Sequence, residues 1–347
     1  MANTALYYPY INPPADQWTI RSVLYWDRIE SIIPWGVELS DSTKALVDEG
    51  LLAPVDWMHV AEVGYNVANE FVDFIHAQHA RGLVLDRWTK KIRPQLIHTM
   101  KMPHQIVEAL QETGLGVEKS YDWWAVRPDI ASAYMSTLAW GLAARHRNGC
   151  DLLSDRSAAL DSFRIRDSEP KLRGRLAVGK GREAIEMLLK DLFLVPTSLP
   201  SPRTVRLFKD EFGNELSAFR NHLNNQVLGV MSEFNNENFI ERLTALRNDL
   251  LTQSEALERR LAPSGMELVR KTVLPSVVGV GAYLLTQDFR VATALPVVLA
   301  ASEAFVASVM QRPDRQEAIS AHPMAYAALF NDRVNRSNRP GYRMILR

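Results

Sequence analysis

Apolar residues recur at two periods along the chain, and the change of period divides it. Near the start the runs are short. Leu6-Tyr7-Tyr8-Pro9-Tyr10-Ile11, Ile29 to Pro34 and Leu51 to Val55 each read as a brief strand. Between them, Asp16 can cap a helix in which Ile20, Val23, Leu24 and Asp27 share one side. Ser40 or Asp41 can cap another, and Gly50 is placed to end it. This is α/β-like, but three short strands do not by themselves establish a parallel sheet. From Met58 the period is helical: Val60, Gly64, Val67, Phe71, Phe74, Ile75 and Gln78 step by three or four, with Gly82 as the stop. Pro94 to Gly116 reads as helical in part, broken at Pro103 and near Gly114.

Arg127 to Arg147 is the clearest helix of the middle. Pro128 suits a first turn, and Ile130, Tyr134, Leu138 and Leu142 form a stripe beside Met135, Ala139 and Ala143, so the apolar arc is wide. Asp151-Leu152-Leu153-Ser154-Asp155 follows as a short strand or turn. Arg164 to Arg182 is basic and carries Pro170, Gly174, Gly179 and Gly181, which makes it the best boundary, with a second break at Pro196 to Pro202. Then Phe208, Phe212, Leu216, Phe219, Leu223, Val227, Val230 and Phe234 give a long amphipathic helix. Asn235-Asn236 interrupts it, and Phe239, Leu243, Leu246, Leu250, Leu257 and Leu261 resume near heptad spacing. Two long helices with a short connection favour an antiparallel pair.

Near the C-terminus, Val273 to Leu285 and Val291 to Met310 are apolar arms around a polar Thr286 to Arg290. A membrane-inserting hairpin competes here with a buried helix pair or an interface masked by a partner. A spanning helix needs about 20 mostly apolar residues. The first arm is too short and holds Pro275; the second carries Pro296 and Glu303, and a carboxylate in mid-membrane is costly. The core or interface reading is therefore favoured, with Val277, Val280, Leu284, Val298 and Phe305 as the residues of an interface or membrane face.

Composition narrows the class. Of 347 residues, 40 are Lys or Arg and 40 are Asp or Glu, so the net charge is zero and bulk attraction to nucleic acid or anionic membrane is disfavoured. The single cysteine, Cys150, allows no intrachain disulfide and fits a reducing cytoplasm. Met1 to Tyr10 lacks a basic segment followed by an apolar core, so no signal peptide is expected there.

Candidate chemistry is sparse. Glu70, Asp73, His76 and His79 are spaced by three on one helix, but each step of three rotates back by about 60° and fans them across a polar face. Arg173, Arg175, Lys180 and Arg182 form a basic cluster for phosphate or nucleic-acid contact, with Gly179-Lys180-Gly181 just before an apparent helix. The full phosphate-loop ending is absent. A second basic run, Arg333 to Arg347, reads as a solvated tail. Asp27, Glu30, Asp151 and Asp155 adjoin the short strands, where carboxylates can hold Mg²⁺, and are the candidate catalytic residues. Trp35 and Trp123-Trp124 read as packing before recognition, and Cys150 as a structural thiol. Gly114-Leu115-Gly116 and Gly279-Val280-Gly281 lack the third glycine of a dinucleotide fingerprint. No cofactor and no metal site are expected.

Several segments together resemble a bacterial family of unknown function: Leu6 to Ile11, Leu24-Tyr25-Trp26-Asp27 leading into Ile32-Ile33-Pro34, Tyr134-Met135 with Leu138-Ala139, and Asp155. Phe208-Lys209, Glu215-Leu216, Phe219-Arg220 and Pro323-Met324-Ala325-Tyr326 continue the likeness. It implies a shared fold with an apolar C-terminal hairpin, a setting among accessory proteins of bacterial antiviral defence, and no particular activity.

The sequence thus predicts a predominantly helical α+β protein. Residues 1–163 form a small mixed region packed on a helical C-terminal part, 164–202 a basic linker with a short helix, and 203–347 the helical part with the hairpin at 273–310. The expected function is a cytoplasmic, non-enzymatic protein-interaction or assembly component, with another protein or a second copy as partner. The alternatives are a Mg²⁺-dependent enzyme acting on nucleic acid and a membrane-disrupting effector.

Overall fold

The computed structural model describes residues 3–82, 93–146, 150–155, 181, 184–232, 238–261 and 322–337, with the side chains of 260 and 335–337 excepted. The fold is predominantly helical α+β and divides into two units, residues 1–183 with 195–211, and residues 184–194 with 212–347. The basic cluster Arg173, Arg175, Lys180 and Arg182, and the hairpin residues Val277, Val280, Leu284, Val298 and Phe305, lie outside the described residues.

The first unit starts from strand β1 (Thr4–Tyr7). Helix α1 (Gln17–Tyr25) leads to β2 (Arg28–Ser31), and α2 (Asp41–Asp48) leads to β3 (Leu52–Pro54). Strand β7 (Cys150–Leu153) closes the sheet in the order β3-β2-β1-β7, with all pairs parallel. The short strands of the sequence are therefore members of one parallel sheet, joined by helical crossovers. Three caps start its helices: Asp16 accepts from the N–H groups of Trp18 and Thr19, Ser40 from Thr43, and Asp56 from Met58. Gly50 leaves α2 at φ +68°, the left-handed cap that turns the chain into β3.

Helices α3 (Trp57–Ala80) and α5 (Pro128–Arg145) pack against each other. Pro128 takes the first-turn position, where its missing N–H costs nothing. Glu70, Asp73, His76 and His79 are all exposed on α3, so that row is a solvated face. Between these helices lies an element the sequence reading misses. Strands β4 (Gln95–His98), β5 (Gly116–Ser120) and β6 (Trp123–Val126) form an antiparallel sheet ordered β4-β6-β5, with α4 (His104–Glu112) joining β4 to β5. Pro94 to Gly116 was expected to be helical in part; only α4 and the 3-10 turn Thr99–Lys101 are. Its strands are too short to show a period of two.

The last segment of this unit, α7 (Pro202–Glu211), is fastened by Lys209, whose buried Nζ donates to the carbonyls of Val23 (2.7 Å), Trp26 and Asp27 at the end of α1. The expected continuous helix from Phe208 to Phe234 is broken at Phe212, where the chain passes from one unit to the other.

The second unit comprises a helical segment α6 over 184–192, then α8 (Gly213–Ser232), α9 (Phe239–Leu261) and α10 (Ala325–Ser337). Phe193 meets the rings of Phe219, Tyr326 and Phe330 at centroid distances of 5.6 to 6.0 Å. Buried Asn331 donates to Leu192 O (2.9 Å) and Glu258 Oε1 (3.0 Å) and accepts from Leu194 N (2.9 Å), so one amide ties α6, α9 and α10. Residues 184–194 belong here because that apolar face and this amide hold them.

The α3–α5 packing depends on a missing side chain. A Cβ on Gly141 would stand 2.4 Å from Val63 Cγ1, and valine is stiff at χ1. Gly141→Ala is expected to destabilise the first unit by about 1–3 kcal/mol, the usual cost of overpacking. Urea unfolding checks this, and Val63→Ala in the same chain should return most of the loss. Equal stability of Gly141→Ala and the parent would show that the helices approach less closely.

Candidate functional site

The parallel sheet has one place where its strand order reverses. From β1 the chain moves outward through β2 and β3, and β7 then returns to the other side of β1. In open α/β sheets, ligands favour the crevice at the carboxyl ends beside such a reversal. Here that edge is made by Tyr8, Pro9 and Ser154-Asp155. The Tyr8–Pro9 peptide bond is cis. Tyr8 N donates to Leu153 O at 3.0 Å, and Tyr7 OH donates to Asp155 Oδ1 at 3.1 Å. Ser31 Oγ donates to Ile11 O at 3.3 Å, so the segment after β1 is tied down on two sides.

The chemistry of this edge disfavours a nucleotide phosphate. The N-termini of α1, α2 and α3 all open there, but Asp16, Ser40 and Asp56 already accept from their N–H groups. Two of the three caps are carboxylates, which repel an anion from the position a phosphate would take.

The four candidate carboxylates are not gathered. Asp155 lies at the carboxyl edge. Asp27 lies at the amino edge, where Oδ2 accepts from Asn3 N at 2.8 Å and its own N–H donates to Asn3 O at 3.0 Å. The strand rise puts these edges about 10 Å apart. Glu30 and Asp151 sit within strands, opposite Leu6 and Ala5, and Glu30 pairs with Arg28 at 3.7 Å. Among the described residues no three His, Cys, Asp or Glu side chains are grouped to hold a metal ion. Of the tryptophans, Trp124 is buried and Trp35 is 73% exposed. Cys150 is a half-buried free thiol.

A different cluster stands at the end of β4, and no sequence signal marks it. His98 is buried, accepts from Met100 N at Nδ1 (3.2 Å), and meets the Trp123 ring edge-on at 5.0 Å. Lys101 ends the following 3-10 turn, and its carbonyl accepts the Tyr134 hydroxyl. The residue is only 4% exposed. Among the described residues nothing donates to, accepts from or pairs with its amine. Burial therefore pulls the ammonium down to about 7. Burial also holds His98 below its ordinary value; the Asp122 carboxylate opposes this and the Lys101 charge adds to it. A lone lysine between Met100 and Met102 carries no motif, which is why the sequence does not reveal it.

The outer face of the antiparallel sheet is the other exposed feature. Leu96, Ala125 and Val117 form one cross-strand row, and His98, Trp123 and Ser120 the next. Ile97, Trp124 and Val126 point the other way, into the core. Leu96 and Val117 are each about half exposed (50% and 51%), and Tyr121 in the β5–β6 turn is 88% exposed.

Comparison with protein families, curated proteins and solved structures finds no match. Among the described residues no helix is long and apolar enough to cross a membrane.

The Lys101 amine sets a pH dependence of stability. In the unfolded chain a lysine holds its proton to about pH 10.4. In the folded chain Lys101 releases it near 7, so between these values the unfolded state binds more protons and stability rises with pH. Tyr134 works against this above about pH 10, because burial raises its hydroxyl well above the usual range and the unfolded phenol ionises first. The unfolding midpoint should therefore climb from pH 7 to 9, and Lys101→Met should flatten that climb. A flat parent profile would mean that Lys101 keeps its charge in the fold.

Proposed function

We propose that the chain is a non-enzymatic assembly component whose docking surface is the outer face of the β4–β6 sheet, and whose partner there is a second copy. One observation carries this reading: Leu96 and Val117 flank Ala125 in a single row on a face that leaves both of them half exposed. A contiguous apolar sheet face is a surface that association would cover. Glu118 and Lys119, both exposed on β5, place one charge of each sign beside this row, which a second copy can complement. The zero net charge leaves no general repulsion between copies. The lone free thiol, Cys150, fits a cytoplasmic setting. A place in bacterial antiviral defence rests on the family resemblance alone.

The Mg²⁺-dependent reading gains nothing from the geometry, since Asp27 and Asp155 occupy opposite edges of the sheet. The membrane reading turns on residues 273–310, outside the described residues.

Light scattering after size exclusion tests the assembly. The parent chain should run as a dimer at micromolar concentration. Replacing Leu96 and Val117 together by aspartate removes about 2 kcal/mol of burial per side chain and copy, which is enough to shift the mixture to monomer. The circular dichroism should not change, because neither side chain belongs to the core. A parent chain that stays monomeric throughout would overturn the reading.

A further inference from the structure

We propose that the groove between α8 and α9 seats the chain's own apolar arm, Val291 to Met310, with Glu303 of that arm paired to Arg242. The inference does not rest on the docking face of the antiparallel sheet. It rests on a groove built within the second unit and on the one charge that the arm carries.

Helices α8 and α9 pack side by side. Where α8 ends and α9 starts they leave a groove of about 310 Å³, lined by Gln226, Gly229 and Val230 from one helix and by Arg242 and Ala245 from the other. The lining is one-sided in its chemistry. The Gln226 amide and the Arg242 guanidinium can donate, and no carboxylate is among the lining residues. Asp249, two turns beyond Arg242, is engaged elsewhere, its Oδ2 accepting from Gln253 Nε2 at 2.8 Å. The floor of the groove is small. Gly229 has a φ that needs no glycine, and a Cβ there would meet nothing within 4 Å. Glycine weakens a helix relative to alanine, so its place here fits a chain that passes close over it.

The fitting occupant is a carboxylate carried on small and apolar residues. Glu303 is the sole charged residue from Val291 to Met310, and Ala300, Ala301, Ser302, Ala304 and Ala307 surround it in the sequence. A carboxylate leaves water only with a cation to answer it. Three other arginines of the unit are engaged: Arg247 with Asp191 at 2.6 Å, Arg259 with Glu255 at 3.8 Å, and Arg333 over the ring of Phe212. Arg242 is exposed and lines the groove. The chain is long enough to bring Glu303 there. Glu303 stands 42 positions after Leu261, where α9 ends, and 22 before Ala325, where α10 starts. Arg242 lies about 28 Å along the helix from Leu261, and the 22 residues leading to α10 can span up to about 70 Å.

A zero-length cross-link tests the contact. Arg242→Lys keeps the positive charge and gives a carbodiimide an amine to join to a carboxylate that touches it. The folded full chain carrying this substitution should yield an amide between positions 242 and 303, mapped by peptide mass, and adding Glu303→Gln should abolish it. Gly229→Leu fills the groove without altering either charge; it should keep its circular dichroism and cut the cross-link at least about 5-fold. The sample is an equal mixture of copies made with light and with heavy nitrogen, so the joined peptides of an intrachain contact carry one isotope only. Mixed-isotope peptides would put a second copy in the groove and overturn the proposal. So would a position 242 that never joins position 303, or a cross-link that Gly229→Leu leaves unchanged.

Discussion

Four residues at the start of the chain hold the first unit together. Strand β1 is central in the parallel sheet, and both of its edges are used: Thr4 to Tyr7 pair with Arg28 to Ser31 on one side and with Cys150 to Leu153 on the other. The first pairing closes a loop of ordinary βαβ length. The second spans about 145 residues, with α3, the antiparallel sheet and α5 between its partners, and so carries the larger loop-closure cost. The constraint explains the burial of the strand. Ala5, Leu6, Tyr7 and Tyr8 are all at most 2% exposed, as expected where helices cover both faces of a parallel sheet.

That long-range closure places demands on what lies between. The α3–α5 pair has to bring residue 150 back to the sheet, and it does so through a close helix approach at Gly141 and Val63, with Arg145 and Glu62 paired at 2.5 Å near its end. The antiparallel sheet is inserted into the same crossover and lends it Ile97, Trp124 and Val126 as core. The inner face of this small sheet is thus committed to holding α3, α4 and α5. Its outer face has no such duty, and Leu96 and Val117 stand half exposed there. The inner rows serve the core, and the half-exposed outer row is the physical basis of the proposed docking surface.

The legible parts of the sequence were those in which one residue decides a local outcome. Asp16, Ser40, Pro128, Gly50 and Gly82 marked helix ends correctly, because a cap or a left-handed turn is set within a few residues. The helical stripes of α3 and α5 were equally plain. Pairing was not legible. Whether Leu6, Ile29, Leu52 and Leu152 share a sheet depends on partners up to 146 positions away, and four-residue strands carry too little alternation to tell. The same limit hid β4 to β6 and misjudged the carboxylates. Asp27 and Asp155 both adjoin strands, but the chain direction puts one at each end of the sheet, and direction becomes visible only once the pairing is known. Lys101 was hidden for another reason. Its lowered proton affinity comes from burial, and a sequence does not show how deeply a side chain is enclosed.

Lys101 is also the point at which the energetics stop looking merely structural. Burial lowers the Lys101 ammonium to about 7, so the fold disfavours its charged form. Methionine would fill the same space at no such cost, and Met100 and Met102 stand on either side of it. His98, three residues earlier, is held neutral by the same burial, so two basic groups in one turn and a half of chain share an environment that disfavours their charge. Perturbed groups gather where chemistry or binding has set their neighbours. Here the pair lies at the end of β4, and His98 stands on the same face of that strand as the half-exposed Leu96.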